Sequence, residues 1–597
     1  MRRAVLNVLL AAGFFAVAFG VLVARNAPAS GYEASIYAAT PSLAWLGFAF
    51  ALAVAVGTTL SARGVHQGLG IALGGTTMVA IVGLPSVRNY YFQGKGDALT
   101  HLGWTRDFLQ GTMYPHELFY PGVHSIASAF HLASGVPVQR AVLVTVVFLF
   151  VPFLLFVPLV VRDLSGSALA AGFAAIVSWM VLPINNVATH MGVHTNSNAL
   201  FLVPVVLFAF VAYLRRRDDL ERLFGLSPLS GLVLLTGAGL LLVHPQQMIN
   251  VVVILAAASL VQFVGRRRFT DHPVVAHSSA YVHTLALGGL FVLWAGSNAR
   301  FRDAFSGLIY GVFASDIGAS SEVGQRGGSL TEIGGSLGEL FVKMFLVSAL
   351  VALAVGLFVL LTWLGWTRIE RESKTLVTYF GFALIPLNGM FLVYFIGTPT
   401  MAFRQVGFIF VVVTILAGVA LAHAFGWLSG AITTPGASAV AALVLGACLA
   451  LALLTVFSTP FIYTAGQHVT EQQVNGYETA FEHGNDERLY AGYGYGVYRH
   501  SDGIYGTEAD TTVSSSWSYG DVVEAESFGE GNYSGAYAGD EYYLVVTEYD
   551  LVRELEVYRG LHYDEHDLDR LEGYEGANKL VSNGEFRLYT VDADVDV

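Results

Sequence analysis

Residues 88–130 read RNYYFQGKGDALTHLGWTRDFLQGTMYPHELFYPGVHSIASAF, and they decide how the rest of the chain is read. The stretch lies between two apolar runs, Leu69–Leu84 and Ala141–Val161. A connection between membrane spans is ordinarily short. This one crowds Asp97, His101, Arg106, Asp107, Tyr114, His116, Glu117, Tyr120 and His124 beside a hydrophobic segment, as an active site at a membrane surface would. Asp97 and His101 are four apart, so on a helix they share a face, with Trp104 one turn further along. Gly94 and Gly96 suit a sharp entry into that helix. Gly111, Pro115 and Pro121 mark its end and the turn back.

Outward from this loop the chain is membrane-like. It has 54% hydrophobic and 13% charged residues, where a soluble domain carries roughly 25% charged residues. A span needs roughly 20 apolar residues, fewer where neighbours cover it. Thirteen segments qualify: Ala4–Val23, Leu43–Leu60, Leu69–Leu84, Ala141–Val161, Ala168–Leu182, Ala199–Leu214, Leu229–Val243, Met248–Val264, Ala280–Ala295, Leu340–Leu364, Leu376–Ile396, Val406–Phe425 and Ala437–Phe457. The first is read as a retained span, since no small-residue cleavage site follows closely. The pair around His244 has the form of a broken or re-entrant unit. The single cysteine, Cys448, excludes a disulfide framework within the chain.

Basic residues set the orientation. Arg2 and Arg3 place the N-terminus in the cytoplasm, and Arg215–Arg217, Arg266–Arg268, and Arg368, Arg371 and Lys374 then all fall inside. Arg25–Pro41, the Asp97 loop, residues 183–198, His244, Asn298–Gly338 and Gly397–Gln405 fall outside, as does the C-terminal part. The division is residues 1–460 for the membrane domain, with its first long outer loop at 88–138, and residues 461–597 for a soluble domain. From Gly466 to Val597 there are 7 Lys and Arg against 28 Asp and Glu, while the rest of the chain is net basic. Such an acidic surface suits high salt, as in extreme halophiles, or is simply solvated charge. Tyr542–Thr547 and Glu585–Val591 read as strands and Leu551–Tyr558 as helix, so a small α/β domain is expected.

Each polar constellation admits two readings. Asp97 can take a proton from an attacking hydroxyl as general base, or cap the helix it starts. Asp107, next to Arg106, reads as part of a structural charge network. His101, His116, His124 and Glu117 are metal-ligand types, but their spacing matches no ligand motif, and packing is the favoured reading. His190 and His194 would share a helical face and bind phosphate or sugar hydroxyls; alternatively Asn196 or Asn198 caps the next helix. His244-Pro245-Gln246-Gln247 must face protein or a water-filled cavity, because lipid cannot satisfy it. Arg404 in GTPTMAFRQVGF can clamp a phosphate or snorkel to the interface. The loop Asn298–Gly338, with Glu322, Arg326 and Glu332, reads as a lid or a flexible connection.

The Asp in GDALTHLGWTRDFLQG, with Tyr120-Pro121-Gly122 after it, resembles the GT-C superfamily of membrane glycosyltransferases. The whole chain resembles that family in layout, a multi-span α-helical membrane protein with an external C-terminal domain; the motif covers about forty residues. The resemblance implies a sugar taken from a polyprenyl (dolichyl) phosphate on the outer face and passed to a glycan, protein or lipid acceptor; the acidic tail adds the expectation of a haloarchaeal setting. It implies Asp97 as base and Arg404, with His194 and His244, as donor-phosphate ligands. His101, Arg106, His116, Glu117, Tyr120, His190 and Gln246 are then the candidate substrate contacts. The oligosaccharyltransferase catalytic subunit is similar in layout, but its Trp-Trp-Asp-Tyr-Gly motif is absent. The loop PINNVATHMGVHTNSN also carries no carboxylate. Single-sugar transfer without a metal or other cofactor is therefore expected over metal-dependent oligosaccharide transfer. Nucleic acid is not an expected partner. The rival reading is a transporter or flippase of lipid-linked sugars, which the break at His244 favours and the absence of an inverted repeat disfavours.

Overall fold

The computed structural model describes residues 3–182, 185–215, 227–313, 328–485, 487–494, 496–509, 513, 522–537 and 541–592. In chain order, α1 (Arg3–Arg25), α2 (Ser42–Ser61) and α3 (Val65–Val82) come first. Two helices of the polar loop follow, α4 (Asp97–Gln110) and α5 (Gly122–Ser134). The bundle resumes with α6 (Val138–Ser165), α7 (Ala168–Trp179), α8 (Thr195–Arg215), α9 (Pro228–Val243) and α10 (Pro245–Arg268). It is completed by α11 (Tyr281–Ser297), α12 (Leu346–Trp363), α13 (Arg371–Gly397), α14 (Pro399–Ala431) and α15 (Thr434–Leu453).

Among the described residues ten of these helices are long and apolar enough to cross a membrane, which makes this a multi-pass membrane protein. A helix is the form that satisfies every backbone group without water. The other three, α7, α9 and α11, have 12, 16 and 17 residues. Each of the thirteen predicted segments overlaps one of these helices, but Leu340–Leu364 is divided: its first residues lie on a separate short helix, Leu337–Met344, and the remainder on α12. The shortest, α7, is buried from Ala170 to Trp179, so protein instead of lipid surrounds it. The final helix stops at Leu453, short of the expected Phe457, and Pro460 opens a single 3-10 turn.

One end of the bundle gathers the basic residues. Arg215 at the end of α8 pairs with Glu372 at the start of α13 (2.6 Å), and Arg266 near the end of α10 donates to the His277 carbonyl (2.7 Å). Arg2, Arg216 and Arg217 lie outside the described residues, as do Glu322, Arg326 and Val597. The described part of the predicted lid includes a helix over Ala299–Phe313. At the opposite end lie the starts of α4 and α10, Arg404 on α14, and the C-terminal region.

That region is stitched to the polar loop. β1 (Phe92–Gln93) pairs antiparallel with β2 (His468–Val469), and the Gly94 N–H donates to the Gln467 carbonyl (2.8 Å). Two helices follow, α16 (Glu471–His483) and α17 (Val497–Tyr505). A four-stranded sheet has the order β3 (Leu489–Gly492), β4 (Glu541–Thr547), β6 (Phe586–Asp592), β5 (Ala577–Ser582). β3 and β4 run parallel; the other pairings are antiparallel. β4 is buried on both faces, with Tyr542, Leu544 and Val546 in one cluster and Tyr543 and Val545 in another. The two predicted strands are β4 and β6, and the predicted helix at 551–558 is a wide helical turn over Val552–Val557.

Candidate active site

The sequence GKGD sets the site at its first step. Gly94 (φ 126°) and Gly96 (φ 58°) take backbone angles that disfavour a side chain, and they swing the chain from β1 into α4. Gly96 holds the cap position with no side-chain cap, and Asp97 is the first helical residue. The alternative reading of Asp97 as the cap therefore does not hold: its carboxylate is directed elsewhere.

α4 packs against α17, and glycines set how closely. A Cβ on Gly103 would meet the Asp502 carbonyl oxygen at 2.5 Å, and one on Gly503 would meet Leu99 at 3.2 Å. This contact brings Arg499 to the start of α4. Its Nη2 lies 2.9 Å from Asp97 Oδ1, and its Nη1 donates to Thr100 Oγ1 at 2.5 Å. Thr100 in turn donates to Asp502 Oδ2 at 2.6 Å. The Asp97 side chain remains 58% exposed, and no described residue hydrogen-bonds its Oδ2. Asp107 is not in a charge network as expected. It is buried, and accepts from the Thr507 N–H (2.8 Å) and Oγ1 (2.7 Å). Arg106 is likewise drawn away, its Nε donating to the Gly503 carbonyl (2.7 Å). Both fasten the C-terminal region to the loop.

A cavity of about 800 Å³ opens between α4, the turn at 112–120 and α17. Asp97, Glu117, Asp502 and Glu508 line it with carboxylates, and Trp104, Tyr120 and Tyr498 with aromatic faces. Arg499 is the one Lys or Arg among its described lining residues. The Glu117 carboxylate accepts the Tyr114 N–H (2.6 Å). His116 is exposed, stacks on Tyr114 and lies outside the lining.

Behind this cavity stands a row of buried or half-buried rings. His101 Nδ1 is 3.0 Å from His124 Nε2, and His101 also meets Trp104 and Tyr120. Tyr120 stacks on His244 with centroids 5.4 Å apart, and His190 and His194 are 5.1 Å apart. The last two do not share a helical face as expected: His190 is in the loop and His194 precedes Thr195–Leu200. Nor do Asn196 or Asn198 cap that helix. Both lie inside it, and Asn198 Oδ1 accepts the His194 N–H (3.0 Å).

Arg404 belongs to this row. Its charge acts on His190, His194 and His244, and no described residue hydrogen-bonds or ion-pairs with its guanidinium. Burial, then the Arg404 charge, pushes His190 down to about 4, with Asp97 acting in the opposite sense. Burial and its neighbours His190 and Arg404 push His194 well below the ordinary histidine range. Both imidazoles are therefore neutral near pH 7, and Arg404 is the permanent cation among them. His244 Nδ1 and Gln246 Nε2 are buried with no described hydrogen-bond partner. Among the described residues no three His, Cys, Asp or Glu side chains converge on a metal position.

The sequence reading missed Arg499, Asp502 and Glu508, which come from the tail, some four hundred residues from the loop. One signal was present: Arg499 is among only 7 basic residues in the acidic tail.

No family model matches the chain, and no curated protein matches it. Among solved structures it is similar to ArnT from Cupriavidus metallidurans bound to undecaprenyl phosphate, at 13% identity and a TM-score of 0.46, covering 87% of this chain and 97% of that one. It is also similar to the oligosaccharyltransferase of Archaeoglobus fulgidus in the apo form, at 13% identity and a TM-score of 0.45, covering 88% and 75%. A third similar structure is AglB from the same organism in complex with an inhibitory peptide and a dolichol-phosphate, at 13% identity and a TM-score of 0.42, covering 88% and 74%.

Proposed function

We propose that this chain is a GT-C-type membrane glycosyltransferase that moves a single sugar from a polyprenyl (dolichyl) phosphate to a hydroxyl of a glycan, protein or lipid acceptor. The observation that carries the reading is Asp97 itself. It is a carboxylate with one oxygen held by Arg499 and the other without a described partner, at the wall of a cavity of about 800 Å³.

The chemistry follows from that placement. The acceptor hydroxyl enters the cavity and attacks the anomeric carbon, and Asp97 Oδ2 takes its proton. The bond from the anomeric carbon to the phosphate oxygen breaks with its electron pair going to that oxygen. The carrier phosphate thereby gains a second negative charge. Arg404 is the cation for it, since the neutral histidines beside it supply hydrogen bonds and no charge. The apolar carrier tail lies in the bilayer between helices.

We place the site on the external face. The basic residues gathered at the opposite end of the bundle support this, because basic loops stay on the cytoplasmic side. The N-terminus is then cytoplasmic and the C-terminal domain extracellular. The acidic composition of residues 466–597 supports a haloarchaeal cell surface. The test is intact-mass comparison of surface glycans from cells with and without the gene. The expected result is loss of the mass of one sugar; identical glycans overturn the reading.

A further inference from the structure

We propose that Arg499, supplied by the C-terminal domain, is the positioning residue for the base, so that this domain completes the active site instead of merely flanking it. The inference rests on Asp97 being the base, and adds what holds it.

A more than half-exposed aspartate at the first position of a helix is free to rotate, and a base that rotates meets its proton only part of the time. Arg499 removes that freedom. Its planar fork reaches Asp97 Oδ1 with one nitrogen (2.9 Å) and Thr100 Oγ1 with the other (2.5 Å). Thr100 is three residues after Asp97 and lies on the same face of α4, so the fork ties the carboxylate to its own helix. The guanidinium is itself held. Asp502 lies 4.0 Å away on the next turn of α17 and accepts the Thr100 hydroxyl, and Tyr498 lies under the guanidinium, 4.8 Å from carbon to ring centre.

The helix contact is built to deliver this group. Gly103 and Gly503 let the two backbones approach, and Arg106 and Asp107 bond the backbone at 503 and 507. Thus Arg499 is presented in one register. With Oδ1 occupied, Oδ2 is the oxygen left for the acceptor hydroxyl. An ammonium is a point charge without the planar two-nitrogen fork that reaches the two partners here, so lysine is not an equivalent.

The test is a double-mutant cycle on the purified full chain, measuring transfer from a dolichyl-phosphate sugar. Arg499→Ala is expected to lower kcat by about a hundredfold, the order of loss from a 1 Å misplacement, with the donor KM nearly unchanged. Arg499→Lys is expected to recover part of it. In an Asp97→Asn background Arg499→Ala is expected to cause no further loss, because there is no base left to position. Thr100→Val, which removes the anchor and leaves both charges, is expected to fall between wild type and Arg499→Ala. It tests the fork even if Arg499→Ala fails to fold. The same fold-loss in both backgrounds, or a raised donor KM at unchanged kcat, would overturn the proposal and make Arg499 a direct donor ligand. Near wild-type transfer by Asp97→Asn alone would instead remove the base assignment on which it stands.

Discussion

His101 Nδ1 lies 3.0 Å from His124 Nε2, with both rings buried at the back of the cavity. One nitrogen donates and the other accepts, so the pair is bonded when both rings are neutral. Burial pushes His124 down to about 3, and burial with its histidine neighbours pushes His101 well below the ordinary range. The sign follows. Above pH ~6.5 neither folded nor unfolded chain protonates these rings. Below it the unfolded chain does and the folded chain does not. Stability is therefore lost as pH falls from about 6.5 towards 3, by up to about 1.4 kcal/mol per pH unit for each histidine. The expected outcome is a lower thermal midpoint in detergent at pH 5 than at pH 7, and a smaller drop in His124→Gln. An equal drop in both would remove His124 from the account.

Arg404 separates a phosphate ligand from a residue that snorkels. Arg404→Ala is expected to lose most transfer at limiting donor, and Arg404→Lys to keep part, because charge survives while the fork does not. Snorkelling predicts unchanged turnover for both. Initial rates across donor concentrations make the distinction.

The crossing of α4 and α17 is expected to tolerate no side chain at Gly103. Gly103→Val places atoms where the Asp502 carbonyl sits. Overpacking costs about 1–3 kcal/mol. Transfer should fall while donor binding persists, and limited proteolysis should cut the C-terminal region faster than in wild type.

Arg88 and Glu33 form a buried ion pair, with the two guanidinium nitrogens on the two carboxylate oxygens and Tyr90 on the same carboxylate. Removing one partner strands the other. Arg88→Met is expected to destabilise by about 3–5 kcal/mol, and the double replacement of Arg88 and Glu33 by apolar residues by much less. Thermal unfolding of the single and double variants checks the difference.

The membrane architecture was legible because apolar length is a local property. The predicted segments overlap helices, down to the break at His244, where Pro245 starts a new helix, although the break at Phe345 inside Leu340–Leu364 was not read. The entry to α4 was legible for a similar reason, since Gly94 and Gly96 report backbone angles directly. What the sequence could not show was pairing at a distance. The cap remained an alternative for Asp97 because the glycine before it was not credited with that position, and the neighbour the sequence did not show is Arg499. Arg106 and Asp107 looked like a local charge pair until α17 was in place to bond both. His190 and His194 meet, but through a loop and not through helical spacing. Spacing along the chain reads helices; it does not read a cavity assembled from segments some four hundred residues apart.

The central claim is that Asp97 takes the acceptor proton during sugar transfer from a polyprenyl phosphate. The direct measurement is the single-turnover rate of transfer from a defined dolichyl-phosphate sugar by purified wild type and Asp97→Asn. The amide keeps the shape of the side chain and loses its charge. The account predicts a fall of about a hundredfold to ten-thousandfold, with expression and donor binding retained. Transfer by Asp97→Asn at a rate near that of wild type would contradict it.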